Sequence, residues 1–303
     1  MKALVSVCIP TFNHAQVIGG ALRSAIEQSY ENLEILVFDN HSDDDTERVV
    51  AELADEDSRV RYLRHPRNIG MQRNFNTCIE QATGTYVKFI CADDTLEPDC
   101  VKRMMEVMSA HPQVSLVACA RQLVDDSLRP AGIERYSRRF VLAEGAAAMR
   151  RCFFFGNLIG EPTAVMFRRA DAARGFHEGY RQLVDLEMWF HLLRTGAFAY
   201  LPEPLCRIRR HPRQATLKHL ESGVVLDDKR RFFREFLSDA GKHAAFHEKV
   251  LWDIRMAVTV YRMMHAGRAV RPQDVEEVFY RRLFPGLVYP VASTLWRLSN
   301  RGS

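Results

Sequence analysis

The sequence predicts an α/β fold: a mostly parallel central sheet flanked by helices, followed by a helical C-terminal extension. Three observations carry that reading. Through the first half of the 303-residue chain, short β-branched, apolar runs alternate with stretches of helical spacing. That alternation marks βαβ units, whose parallel strands are buried on both faces and read as continuous apolar runs. Several of the runs end abruptly in polar residues, where strands of such sheets open onto a ligand crevice. From about residue 221 the pattern is helical throughout, with Pro272 and Pro285 as punctuation.

The elements follow in order. "LVSVCIPTF" (4–12) is the first strand, and "QVIGGALRSAIEQ" (16–28) has helical spacing. "LEILVFDN" (33–40) is a second buried strand, and "DDDTERVVAELA" (43–54) opens with acids that suit a helix N-terminus. "VRYLRH" (60–65), "GMQRNFNTCIEQA" (70–82) and "YVKFICAD" (86–93) repeat the unit. "PDCVKRMMEVMSAH" (98–111) reads as a helix with proline in its first turn, and "VSLVACARQLV" (114–124) as a fifth strand. The middle is less regular. "EPTAVMFRRA" (161–170) reads as a strand, "VDLEMWFHLLRTG" (184–196) as a helix stopped by Gly196, and "EPLCRIRRH" (203–211) as a strand ending in a basic cluster. The boundary this implies falls at 215, with a catalytic domain over 1–215 and the helical extension over 216–303.

Composition narrows the class. Apolar residues at 47% and charged residues at 26% are ordinary for a globular protein, and a formal charge of +4 gives no argument for nucleic acid. Seven cysteines without a C-x-x-C pair suit reduced thiols, most of them small hydrophobes inside strands and helices. The strand pattern begins at Leu4, which leaves no room for a signal peptide, and "GLVYPVASTLW" (286–296) falls short of the roughly 20 residues that span a bilayer. A cytoplasmic protein is expected.

Polar residues gather at three strand ends: Thr11–Asn13, Asp39–Asn40 and Asp93–Asp94. Adjacent carboxylates repel, so Asp93 and Asp94 need either solvent and a capping role or a divalent cation. Mg²⁺ and Mn²⁺ take hard oxygen ligands, Mg²⁺ commonly one or two carboxylates plus substrate phosphates. Asp39 either makes an Asx turn or accepts hydrogen bonds from a nucleotide base or ribose; Ser42 and Asp43 suit the helix cap better, which leaves Asp39 open to a ligand. Asn68 and Gly70 form a turn before a helix whose N-terminus, with Arg73, either faces an anion or is ordinary surface. Asp185 and Glu187 are helix N-terminal acids, or one of them is a general base. His211 is either structural or a ligand.

Taken together, "VSVCIPTFNHAQVIGGALRSAIEQSYENLEILVFDNHSDDDT", "NIGMQRNFN", "FICADDTLEPD" and "VDLEMWFHLLR" resemble the inverting family 2 glycosyltransferases of the Rossmann-like GT-A fold, over roughly residues 3 to 215. The resemblance implies transfer of a sugar from a nucleoside-diphosphate sugar (UDP, dTDP or GDP type) to a hydroxyl of a glycan or lipid-linked acceptor, in cell-surface polysaccharide synthesis. Pro10, Thr11 and Asn13 would line the nucleotide pocket, Asp39 would face the base, and Asn68, Gly70 and Arg73 would flank the nucleotide. Asp93 and Asp94 would be the metal and ribose motif for Mn²⁺ or Mg²⁺, with His211 near the diphosphate assisting the metal. Asp185 would deprotonate the acceptor as it attacks the anomeric carbon, through an oxocarbenium-like transition state. Two positions depart from the pattern: Cys91 replaces an acid two residues before Asp93, and Val184 replaces a glutamate before the base.

Two other classes remain open at this point: a non-catalytic nucleotide-sugar binder or partner subunit, and a nucleotidyltransferase. The latter usually has a Gly-rich loop with a basic residue where "PTFNHAQ" stands. The tail "RRLFPGLVYPVASTLWRLSNR" (281–301) mixes arginines with aromatics. It either packs on the catalytic domain or a second subunit, as in a homo-oligomer, or contacts the inner membrane surface peripherally.

Overall fold

The computed structural model describes residues 2–210 and 224–240. The chain divides into two compact units, Met1–Gly179 with Val184–His211, and Tyr180–Leu183 with Pro212–Ser303.

The first unit opens with the expected βαβ series: β1 (Val5–Thr11), α1 (Ile18–Ile26), β2 (Leu33–Asp39), α2 (Thr46–Ala54), β3 (Val60–Arg64), α3 (Met71–Gln81) and β4 (Tyr86–Phe89). Next come β5 (Thr95–Leu96), α4 (Cys100–Ala110), β6 (Val114–Val124), β7 (Pro130–Glu134), β8 (Val141–Ala143), α5 (Gly145–Phe155), β9 (Val165–Arg168), α6 (Val184–Leu193) and β10 (Ala197–Arg209). They form one ten-stranded sheet in the order β3-β2-β1-β4-β9-β6-β10-β5, with β7 on β6 and β8 on β10. β3, β2, β1 and β4 are mutually parallel, whereas β9 runs antiparallel between β4 and β6. The register of β1 on β2 runs from Val5 opposite Leu33 to Thr11 opposite Asp39, so these two strands end flush.

Periodicity explains the packing. Ile18, Ala21, Leu22 and Ala25 form the buried stripe of α1, and Cys100, Val101, Met104, Met105 and Met108 that of α4. They close one core with Val5, Val7 and Ile9 of β1 and Ile35 and Val37 of β2. All seven cysteines are free, and all but Cys91 are fully buried as core residues. Among the described residues no helix is long and apolar enough to cross a membrane.

Thr95 begins β5, which pairs with Arg207 and Cys206 of β10. Two local expectations are corrected. Pro98 precedes α4 by a turn instead of lying inside it. The strand expected from 203 begins at Ala197, because register shifts between Leu201 and Cys206 let a parallel strand pass Pro202 and Pro204.

In the second unit, α7 (Val224–Ala240) meets the short segment Tyr180–Leu183. The Tyr180 ring is fully buried, with the Phe232 ring edge-on to it at 6.3 Å. The remainder of the predicted helical extension lies outside the described residues, as does His211.

Candidate active site

The ends of β1 and β2 are clasped to each other. The Asn13 N–H donates to Ser42 Oγ at 2.8 Å, and the Asn13 side-chain oxygen accepts from the Asp43 N–H at 3.0 Å. Asn13 holds a left-handed φ of 57°, which asparagine tolerates. Pro10 and Thr11 are buried behind this clasp, and the Thr11 hydroxyl lies 3.3 Å from His14 Nδ1. The loop before α3 is tied in as well. Asn40 donates to Asn68 Oδ1 at 3.0 Å and accepts from the Ile69 N–H at 2.8 Å. Gly70 at φ 90°, with open space around it, makes the turn a side chain would strain. The predicted residues Thr11, Asn13, Asp39, Asn40, Asn68 and Gly70 are thus joined along one edge.

Asp39 is not open to a ligand, as the sequence reading had it. It is fully buried; Oδ1 accepts from the Ser42 N–H (2.9 Å) and hydroxyl (2.6 Å), and Oδ2 from the Tyr62 hydroxyl (2.5 Å). Asp39 thus closes the turn that follows β2. The first turn of α2 is served by Asp44, whose Oδ1 accepts from the Thr46 N–H at 3.0 Å. Arg73 forms an exposed ion pair with Glu178 at 3.0 Å. Arg207 pairs with Glu97, and Arg210 with Glu161, each at 2.7 Å.

The acidic turn after β4 splits its two carboxylates. Asp93 is half-buried, whereas Asp94 is 3% exposed. Asp94 Oδ2 accepts from the Thr163 hydroxyl at 2.6 Å and Oδ1 from the Arg209 N–H at 3.0 Å. Thr163 Oγ1 in turn accepts from the Cys91 N–H at 2.9 Å, and its carbonyl accepts from the fully buried Lys88. Burial pushes the Asp94 carboxyl well above the usual carboxylate range, and the neighbouring Asp93 charge adds to the shift.

Asp185 lies in the first turn of α6, half-buried. Its Oδ2 accepts from the Asn157 amide at 2.8 Å and its Oδ1 from the Leu186 N–H at 2.7 Å. Burial raises its carboxyl to about 7; the Leu186 N–H opposes that shift and the Glu161 charge reinforces it. A carboxylate poised near neutrality is suited to general base catalysis. Glu187 is accounted for differently: it is fully buried in a bidentate pair with Arg174, both bonds at 2.7 Å. Trp189 donates its indole N–H to the Gly160 carbonyl at 2.9 Å. Gly160 sits at φ 116°, and a Cβ there would lie 1.9 Å from Arg121 Nη1, so glycine is required.

The segment 157–163, "NLIGEPT", therefore joins the two carboxylates: Asn157 holds Asp185 and Thr163 holds Asp94. Glu161, between them, accepts from Arg210 and lies 3.4 Å from the Nε of the buried Arg121. The sequence reading assigns no role to Asn157, Gly160 or Thr163. A Gly-x-Pro inside an apolar stretch was the available signal. Replacement of Asn157 by Ala is expected to lower kcat about tenfold, the worth of a charged hydrogen bond. It also removes a donor that favours the ionised carboxylate, so the acidic limb of the pH–rate profile should move to higher pH.

The donor set of the acidic turn suits a cation that arrives with a diphosphate. No group of three or more His, Cys, Asp or Glu side chains able to hold a metal ion occurs among the described residues. Two adjacent hard carboxylates with phosphate oxygens suffice for Mg²⁺, and their mutual repulsion is relieved by such a charge.

A parallel β3-β2-β1-β4 half continued by antiparallel β9, with acids at the strand ends, is the GT-A architecture of nucleotide-sugar-dependent enzymes. The chain belongs to glycosyl transferase family 2, whose family model matches residues 6–176, and it is a glycosyltransferase. It is 35% identical over 222 residues to "Uncharacterized protein MT1568" of Mycobacterium tuberculosis, covering 69% of this chain and 68% of that protein. The fold is shared with S. aureus TarS 1–349, solved in complex with UDP-GlcNAc, at a TM-score of 0.62 and 15% identity over 99% of this chain and 92% of that one. It is also shared with the mannosyltransferase PcManGT of Pyrobaculum calidifontis, solved with GDP-Man and Mn²⁺, at a TM-score of 0.55 and 19% identity over 100% and 77% of the two chains.

Proposed function

We propose that this chain is an inverting glycosyltransferase that passes a sugar from a nucleoside-diphosphate sugar to a hydroxyl of a glycan or lipid-linked acceptor, with Asp185 as the base. The observation that carries the reading is Asp185 itself, a half-buried carboxylate raised to about 7 and fixed by Asn157. The nucleotide lies along the joined β1, β2 and α3 edge, against Pro10, Thr11, Asn13, Asn68 and Gly70. Arg73 is freed for a phosphate when it exchanges its surface pair with Glu178.

Asp185 accepts the acceptor hydroxyl proton while that oxygen bonds to the anomeric carbon on the face opposite the diphosphate. The C–O bond to the diphosphate breaks in the same displacement, and the electron pair leaves on the phosphate oxygen. Asp93 and Asp94 would hold a divalent cation, Mn²⁺ or Mg²⁺, which when bound supplies neutralising charge for the departing diphosphate. Bound UDP-GlcNAc in TarS and GDP-Man with Mn²⁺ in PcManGT support the donor class and the cation.

Calorimetric titration of UDP, dTDP and GDP, each with Mn²⁺ or with chelator, tests this reading. One nucleotide is expected to bind with Mn²⁺ and not with chelator. Absence of binding by any nucleotide contradicts the assignment.

A further inference from the structure

A fully buried tyrosine and a buried aspartate far apart in the chain hold the few residues that lead into the base. Asp228 of α7 is 5% exposed. Its Oδ2 accepts three successive backbone N–H groups, those of Arg181 (2.8 Å), Gln182 (2.5 Å) and Leu183 (3.0 Å). Consecutive amides converging on one anion form a nest, and charge-assisted bonds of this kind are the strong ones. The same helix face grips the residue before them. The Tyr180 hydroxyl donates to Glu235 Oε2 at 2.9 Å, the Arg231 guanidinium lies 5.0 Å from the Tyr180 ring centre, and the Phe232 ring meets that ring edge-on. Positions 228, 231, 232 and 235 are the i, i+3, i+4 and i+7 stripe of one helix.

Leu183 is followed by Val184, the first residue of α6, and then by Asp185. Two peptide units reach only about 7 Å, so the placement of Leu183 is passed to Asp185 with little slack. We propose that Asp228 is a positioning residue for the Asp185 base, and that α7 serves turnover and not donor binding. The proposal rests on the reading of Asp185 as the base. It gives the start of the C-terminal region a role in catalysis without placing any of its side chains on the substrate.

The test compares full-length wild type, Asp228→Ala and Asp228→Asn, with two readouts. Turnover is followed as nucleoside diphosphate released from UDP-GlcNAc, UDP-glucose, GDP-mannose and dTDP-rhamnose with Mn²⁺, with water or an added oligosaccharide supplying the hydroxyl that takes the sugar. Amide hydrogen exchange is followed over the peptide covering 180–190. Asp228→Ala leaves three amides without an acceptor and is expected to lower kcat 10- to 100-fold, in keeping with the cost of about 1 Å of misplacement. Nucleotide Kd should stay within about twofold, and exchange over 180–190 should rise. Asp228→Asn keeps an acceptor oxygen for the three N–H groups and is expected to recover most of the turnover, which loss of folding alone does not predict. A kcat for Asp228→Ala within threefold of wild type, or unchanged exchange over 180–190, overturns the proposal while leaving Asp185 as base. Failure of the wild type to turn over any of these donors defeats the reading of the base, and the proposal with it.

Discussion

Asp185→Asn is expected to lower kcat by 10²–10⁴, about 3–5 kcal/mol of barrier, while donor affinity stays within about threefold. The substitution keeps the size of the side chain and one acceptor oxygen, so the α6 start and its bond to Asn157 have a route to survive. What it removes is the ability to take a proton. The wild-type profile should show this group directly. The carboxyl is raised to about 7, chiefly by burial. The protonated acid cannot act as a base, so kcat rises with pH through that value and levels off above it. Wild-type kcat should fall about tenfold for each pH unit below that value, so it meets that of Asp185→Asn only about two to four units lower. A steep wild-type profile in a stopped-time assay of nucleotide release, flat in the variant, is the expected pair of results.

The second large effect is expected at Asp94. Asp94→Ala should weaken Mn²⁺-dependent nucleotide binding by about 100-fold, equivalent to about 2.7 kcal/mol. Two losses combine: the carboxylate that would hold the cation, and the acceptor for the Thr163 hydroxyl and Arg209 N–H. The structural part alone costs about 1–3 kcal/mol of stability, because those donors are left unpaired in a buried place. Asp94→Asn separates the two, since its amide oxygen keeps an acceptor for the protein while lacking the charge. Calorimetry with Mn²⁺ and thermal unfolding on both variants distinguish them: Asn should recover Tm and not nucleotide affinity.

The βαβ half of the fold was legible because its strands, buried on both faces, are unbroken apolar runs, and its helices carry clean apolar stripes. The antiparallel additions were not. β7 is an exposed "PAGIE" containing proline and glycine, and β8 is three residues long, so neither has the alternation that marks a strand. Both owe their conformation to the neighbours they pair with, β6 and β10. Asp185 and the Asp93–Asp94 pair were legible as acids at element ends, but the different surroundings of Asp93 and Asp94 were not. Those come from Thr163, far along the chain.

Asp39 illustrates the same limit. Its occupation depends on Tyr62, which enters through the register of β2 on β3, and no local pattern specifies that register. Asn157 escaped notice for a related reason. It lies in an irregular stretch after α5, and its bond to Asp185 spans 28 residues. Local chemistry therefore marks acids at element ends, while tertiary pairing decides the surroundings of each.

The central claim is a single displacement with Asp185 as base, and the anomeric configuration of the first-formed product tests it most directly. The wild type is supplied with Mn²⁺ and whichever α-linked nucleotide sugar it turns over, and the product is read by ¹H NMR before mutarotation. Direct attack by an oxygen deprotonated at Asp185 predicts a β-configured product. An α-configured product contradicts the account, because retention requires a second displacement that a lone base at Asp185 does not provide.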